Sequence, residues 1–458
     1  MAALVRLPFL TSIGPDEGGY AYVARQWSNG HALYRSVWVD RPQGLILVYR
    51  LLISIAHSAW AIRLGAVISG VAISLLLVAI GRLVASPATG FLAGGLYAIV
   101  GIGPHIEGYT FNGELAAAVP STAAVAAVLV GTARRSRAWL CAAAFLGGSA
   151  LLMKQSGFDG LAVVFAVALL ERERLKRVAL VAACAAVPIA ASAVAGWLSG
   201  WHAYWTAVVG DHVAVASATP RLGHLTGSLP AAAKDLLPLA AAAAVGLWVS
   251  PRHSLQRRVG LVWLAAALAA VNVGGLYWPH YYVQLLPPLC LLAALPLGRI
   301  RVPALAWATA AVVAVPVLAF LGGLARASDY QADRMVKYTL GFENDERIAR
   351  YVRSHTSPRD SVLALTSRAD FYFLAHRTAA SPYIWAHPLK TIPGARAALA
   401  RALVAPGRPR LVVLFQRRPL QRRLKQLRRI LDREYEVVWR APGTGTTVLA
   451  PRKSAAVG

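Results

Sequence analysis

Pro15-Asp16-Glu17-Gly18-Gly19-Tyr20 and, a little further on, Trp38-Val39-Asp40-Arg41-Pro42-Gln43-Gly44 place three carboxylates and one guanidinium in a short polar segment. Apolar runs dominate the next three hundred or so residues. Of the 458 residues, 57% are hydrophobic and only 15% charged, against the roughly 25% charged residues of an ordinary soluble domain. Apolar runs of about 20 residues, enough to cross the hydrocarbon of a bilayer, recur down the chain. The fold expected is a polytopic α-helical membrane protein with an acidic loop just ahead of its membrane domain.

Working outward from that loop, residues 16–29 read as a short amphipathic helix, with Tyr20, Val23, Ala24 and Trp27 at helical spacing. Asn29-Gly30 closes it. Residues 43–58, interrupted by Arg50, read as a surface helix leading into the first full span. Ten spans are expected, near 60–83, 87–104, 115–132, 138–153, 157–171, 177–199, 233–250, 258–276, 281–297 and 302–323. The chain changes character after about Asp329. Helices are expected at Asn344–His355, Ala395–Val404 and, strongly basic, Pro419–Leu431. Strands are expected at Ser361–Leu365, Leu411–Phe415, Tyr435–Trp439 and Thr446–Leu449. Such alternation predicts a small α/β domain, without a glycine-rich phosphate fingerprint. Three parts result: 1–59 with the acidic loop, 60–325 in the membrane, and a basic domain at 326–458.

The basic residues set the sidedness. With the 14–59 loop outside, the inner connections hold 13 Lys/Arg, including Arg134-Arg135-Ser136-Arg137. The outer loops between spans hold almost none, Lys154 and Arg221 being the main exceptions. The positive-inside rule selects this orientation. It places the acidic loop, Glu107–Glu114, Lys154-Gln155, His280-Tyr281 and the C-terminal domain on the extracytoplasmic face. That domain carries 24 Lys/Arg against 9 Asp/Glu in residues 330–458, which suits anionic membrane lipids. Its outer position argues against nucleic acid. Cys141, Cys184 and Cys290 lie in apolar segments without metal-ligand spacing. Residues Met1–Ile13 lack the long apolar core of a signal peptide.

Each polar motif has an ordinary explanation and a chemical one. Asp16 and Glu17 after Pro15 suit a helix start, where carboxylates meet the positive end of the helix dipole. One of them could equally take a proton from an attacking hydroxyl. Asp40-Arg41-Pro42 is either a loop ion pair or a fork for phosphate oxygens beside a second acid. Lys154 before Gln155 snorkels to the interface or meets a lipid-linked phosphate. Trp278-Pro279-His280-Tyr281-Tyr282 is an aromatic belt, or offers an interfacial imidazole to phosphate or metal. Glu107 and Glu114 are acids close to hydrocarbon, where charge is costly and commonly functional.

In their order and common sidedness these motifs resemble the GT-C superfamily of membrane glycosyltransferases, in particular protein O-mannosyltransferases and the aminoarabinose transferases of lipid A. The resemblance rests on Pro15–Tyr22, Gly30-His31-Ala32-Leu33-Tyr34, Trp38–Gly44, Phe111-Asn112-Gly113-Glu114, Lys154-Gln155 and His280–Pro287. It implies a polyprenyl-phosphate sugar donor and an acceptor hydroxyl on lipid, glycan or protein. It also implies inversion, with Asp16 as general base, Glu17 as helper and Asp40 as a further acid. Arg41, Glu114, Lys154, Gln155, His280 and Tyr281 would then bind substrate. The resemblance implies no obligatory cofactor; Asp40, Arg41, Lys154, His280 and Tyr281 fall where the family holds donor phosphate, sugar or, in some members, a divalent cation. The family places a membrane helix ahead of the acidic loop; either Leu4–Ile13 is its tail and the true start lies upstream, or this protein lacks that first span. The Ala- and Arg-rich composition points to a bacterial inner membrane. A transporter or lipid flippase is the alternative, and it predicts charge at mid-membrane and paired broken helices.

Overall fold

The computed structural model describes all residues except 172, 301, 329–330, 332–334, 336–341, 366–367, 416–424 and 453–458. Residues 419–424 of the expected basic helix therefore lie outside the described residues. The chain divides into two compact units. One comprises Met1–Thr11, Arg41–Leu198 and Ala216–Ala327; the other comprises Ser12–Asp40, Ser199–Val215 and Ser328–Gly458. The acidic loop thus groups with the C-terminal part of the chain, and the division falls between Asp40 and Arg41.

The first unit is helical. It contains α2 (Gln43–Ile55), α3 (Ala59–Val84), α4 (Pro87–Val100), α5 (Gly113–Arg134), α6 (Arg137–Leu151), α7 (Asp159–Leu169) and most of α8 (Arg174–Trp205). It continues with α10 (Arg221–Val249), α11 (Leu255–Val273), α12 (Leu286–Leu297), α13 (Pro303–Val313) and α14 (Val315–Arg326). Each of the ten apolar runs coincides with a helix or helix pair. Among the described residues, five helices could cross a membrane by length and composition: α3, α5, α8 with its continuation to Ser217, α10, and the 3-10 turn Pro279–Leu285 running into α12. There are six if α13 and α14, bent by 70°, form one span. Helices α2, α4, α6 and α7 are shorter apolar elements. Small residues bring them close: a side chain on Gly81 would stand 2.5 Å from the Gly90 backbone, so α3 and α4 meet nearly backbone to backbone.

Two buried acids tie this unit together. Asp159 in the first turn of α7 accepts the Trp263 indole N–H at 2.7 Å. Asp235, midway along α10, accepts the backbone N–H groups of His105 (2.7 Å) and Ile106 (3.1 Å) and faces His105 Nδ1 at 2.8 Å. A short turn, Pro104–Ile106, is thereby fixed against a membrane helix.

The second unit is built on a five-stranded sheet. Its strands are β1 (Ser361–Leu365), β2 (Thr378–Ala379), β3 (Leu411–Leu414), β4 (Tyr435–Arg440) and β5 (Thr447–Pro451), in the order β2-β1-β3-β5-β4. Strands β2, β1 and β3 are parallel, and β5 and β4 join antiparallel. Leu363, Leu365, Val412, Leu414 and Leu449 alternate into a core closed by Leu399, Leu427 and Leu431. Those last three leucines come from α18 (Ala395–Ala402) and α19 (Lys425–Glu434), and α15 (Phe342–Ser354) precedes the sheet. The acidic loop's own helix, α1 (Pro15–Ser28), packs on α16 (Asp370–Ala375). Tyr22 Oη accepts the Ala379 N–H at 2.8 Å, Arg25 donates to the Tyr372 carbonyl at 2.9 Å, and burial pushes the Tyr22 phenol up to about 12.

Candidate active site

In the helical unit the expected binding residues converge. Asn112 caps α5 by accepting the Leu115 N–H at 3.0 Å, which sets Glu114 in the first turn, 1% exposed. Lys154, also buried in the turn between α6 and α7, donates to Glu114 Oε1. Its ammonium lies 3.5 Å from the centroid of the Tyr281 ring, a cation–π contact. His280 bridges two acids: Nδ1 is 3.0 Å from Glu107 Oε2, and Nε2 is 3.8 Å from Glu114 Oε1. The hydrogen bond to Glu107 fixes the ring's orientation.

The Pro42-Gln43-Gly44 motif explains how Arg41 joins this group. Gln43 accepts the Ser192 hydroxyl at 2.6 Å and donates to the Ser192 carbonyl at 3.3 Å. Leu45 N–H donates to the Leu152 carbonyl at 3.1 Å. A side chain on Gly44 would meet Leu152 at 2.7 Å, so only glycine permits that approach. The start of α2 is thus held two residues ahead of Lys154. Arg41 Nε and Lys154 Cβ then lie 3.5 Å from the same point beside Gly113. Gln155 follows Lys154 in the turn, half-buried.

Glu107 carries backbone strain. Its φ of +52° is rare for a residue with a side chain. The Thr110 N–H and hydroxyl both donate to the Glu107 carbonyl, at 2.9 and 2.8 Å, and Asp235 pins the preceding turn. Two sides therefore fix the Glu107 backbone, and His280 holds its carboxylate.

In the second unit, the neighbours Asp16 and Glu17 have different settings. Glu17 is buried, and its Oε2 accepts the Gly14 N–H at 2.8 Å, closing the first turn of α1. Asp16 is half-buried and accepts the Trp385 indole N–H on Oδ1 at 2.9 Å. The paired glycines make this contact possible. A side chain on Gly18 would stand 2.5 Å from Asp370 Cα, and one on Gly19 2.5 Å from Trp385 Cζ2.

Asp40 belongs to a third cluster. Asp40, Asp211 and His212 each offer one donor atom, all within 4.8 Å of one another, and both carboxylates are buried. Thr391 donates to Asp211 Oδ1. His387 Nε2 lies 3.3 Å from Asp211 Oδ2 but outside hydrogen-bond geometry, so that buried oxygen has no hydrogen bond among the described residues. Two carboxylates, one with an unsatisfied oxygen, and an imidazole are a donor set that fits a divalent cation of the zinc or manganese type.

The sequence singles out neither Trp385 nor Asp211 and His212, and it marks Glu107 as a functional acid without a specific task. Asp211-His212 carried a weak signal, a polar pair in an otherwise apolar stretch. Trp385 carried none, being 369 residues from its partner.

The model of a family described as dolichyl-phosphate-mannose-protein mannosyltransferase matches residues 40–197, less than half of the chain. None of the curated proteins compared with the chain matches it in sequence. Among solved structures, ArnT from Cupriavidus metallidurans bound to undecaprenyl phosphate is 17% identical with a TM-score of 0.69, covering 98% of this chain and 96% of that one. The Archaeoglobus fulgidus oligosaccharyltransferase complexed with Zn and sulfate is 14% identical with a TM-score of 0.55, over 90% of this chain and 67% of that one. The same archaeal enzyme, AglB, with an inhibitory peptide and a dolichol-phosphate gives 14% and 0.53, over 90% and 68%. At these identities the likeness establishes the fold, and the resemblance to the GT-C superfamily is borne out at that level.

Proposed function

We propose that this protein is a membrane glycosyltransferase. It moves a sugar from a polyprenyl-phosphate donor to a hydroxyl of a lipid, glycan or protein acceptor on the extracytoplasmic face of a bacterial inner membrane. The observation that carries this reading is the buried group of Arg41, Lys154, Glu114, His280 and Tyr281. Arg41 Nε and the stem of Lys154 approach Gly113 at the ends of apolar helices, where a lipid-borne phosphate would arrive. Arg41 forks onto its oxygens, and Lys154, steadied by Glu114 and Tyr281, meets the charge that grows as the phosphate departs.

Asp16 is the base in this reading. The acceptor oxygen attacks the anomeric carbon as its proton passes to Asp16, the bond from that carbon to the phosphate oxygen breaks, and polyprenyl phosphate leaves with the electron pair. Configuration inverts. Glu17 shapes the helix start that presents Asp16. A divalent cation, where one binds, would be held by Asp40, Asp211 and His212 and would supply Lewis-acid charge there. Elemental analysis of purified protein, wild type against Asp211→Ala, tests that occupancy. The full set of ten crossings, with the C-terminal unit outside, is part of the proposal.

Membranes supplied with radiolabelled polyprenyl-phosphate sugars give the test. The wild type is expected to transfer label and Asp16→Asn to lose transfer by several orders of magnitude. A wild type that consumes none of the donors would sink the enzyme reading. Undiminished transfer by Asp16→Asn would sink the base assignment alone. No comparison points to the transporter or flippase alternative.

A further inference from the structure

We infer that Trp385 is the positioning residue of the Asp16 carboxylate, a role that rests on the proposed base function of Asp16. A general base is effective when a third group holds it in one orientation. The indole N–H donates to Oδ1 at 2.9 Å, and no hydrogen bond to Oδ2 occurs among the described residues. Oδ1 is anchored on a half-buried side chain, which leaves Oδ2 to take the proton. Trp385 fixes which oxygen takes the proton.

The indole is itself wedged. Tyr20 lies against it with ring centroids 5.6 Å apart, and Trp38 meets it edge-on at 6.4 Å. Trp38 N–H donates to the Pro382 carbonyl at 3.2 Å, tying the segment that carries Trp385 to the loop that carries Asp40. On the remaining side only hydrogen at position 19 leaves room for the ring. Gly19 is thus a cast of Trp385, and the Gly-Gly pair belongs to the chemistry of Asp16 although neither glycine carries a functional group. Glu17 cannot substitute, because its carboxylate closes on the Gly14 N–H.

A neutral donor suits this task. A lysine or arginine in its place would pair with the carboxylate and lower its basicity strongly. An indole N–H orients the carboxylate without adding charge and cannot lose its proton in the physiological range.

Trp385→Phe keeps the ring and removes the donor, and it is the first variant to measure. Turnover is expected to fall by roughly an order of magnitude or more, with an unchanged KM for the donor and an unchanged melting midpoint in detergent. Gly19→Ala approaches from the other side, displacing the ring while the indole N–H remains. It should reproduce the loss of turnover, again without a change in donor KM. Wild-type turnover in Trp385→Phe, with Asp16→Asn inactive, overturns the inference and leaves the base reading standing. A loss of turnover that comes with a changed KM and a lowered melting midpoint also overturns it, since that is the mark of a structural role. Full activity in Asp16→Asn removes the base reading itself, and the inference goes with it.

Discussion

The acids of the helical unit and those of the acidic loop's unit solve opposite problems. Glu107 and Glu114 lie among Lys154, His280 and Arg41, so that charges largely cancel where desolvation is costly. Asp16 has one neutral indole donor and partial exposure. The first arrangement keeps charge tolerable beside apolar helices and readies it for an anion. The second keeps a carboxylate available for proton transfer. The difference teaches that burial alone does not identify a reactive acid. The partner does.

The largest expected effect comes from breaking the closed network. Lys154→Met leaves Glu114 buried without its cation, which should cost about 3–5 kcal/mol and abolish donor binding. Thermal unfolding and labelled-donor retention in detergent both report it. Adding Glu114→Leu should recover most of the stability and none of the binding, separating charge balance from recognition. Next in size is Asp235→Leu. Two backbone N–H groups lose their acceptor at about 1–3 kcal/mol each, and the turn ahead of Glu107 loosens, measurable as faster amide exchange at 105–110. Glu107→Gln should lower transfer while altering stability by about 1 kcal/mol, read as turnover against melting midpoint. Smallest is Glu17→Ala, expected to cost about 0.5–2 kcal/mol through the lost cap, with turnover nearly intact. If Glu17→Ala instead matched Asp16→Asn in turnover, the contrast between these neighbours would collapse.

Much of the architecture was legible because each element declares itself over a short window. All ten apolar runs fall on helices, since a long uninterrupted apolar run reads as a buried helix or a span. Strand β1 spans the expected Ser361–Leu365, and α1 starts and ends within one residue of its expected bounds. The short α16 and strand β2 were not foreseen, because neither has enough periodicity to read. In the site, Lys154 stood out by sidedness, as a lysine in outer loops otherwise poor in them. His280 and Glu107 are 173 residues apart, and no local pattern announces their pairing. The anchoring of Asp16 by Trp385 was equally beyond reach, although the glycines that make room for it were in plain view.

Asp235 has a consequence for how the protein is made. Its partners at His105 and Ile106 precede it by 130 and 129 residues, so they have been synthesised before α10 leaves the ribosome. Until it meets them, Asp235 is a costly acid on an apolar helix, beside Lys234. Both backbone donors that satisfy it belong to residues made earlier, so α10 can pair its carboxylate as soon as it packs against that turn.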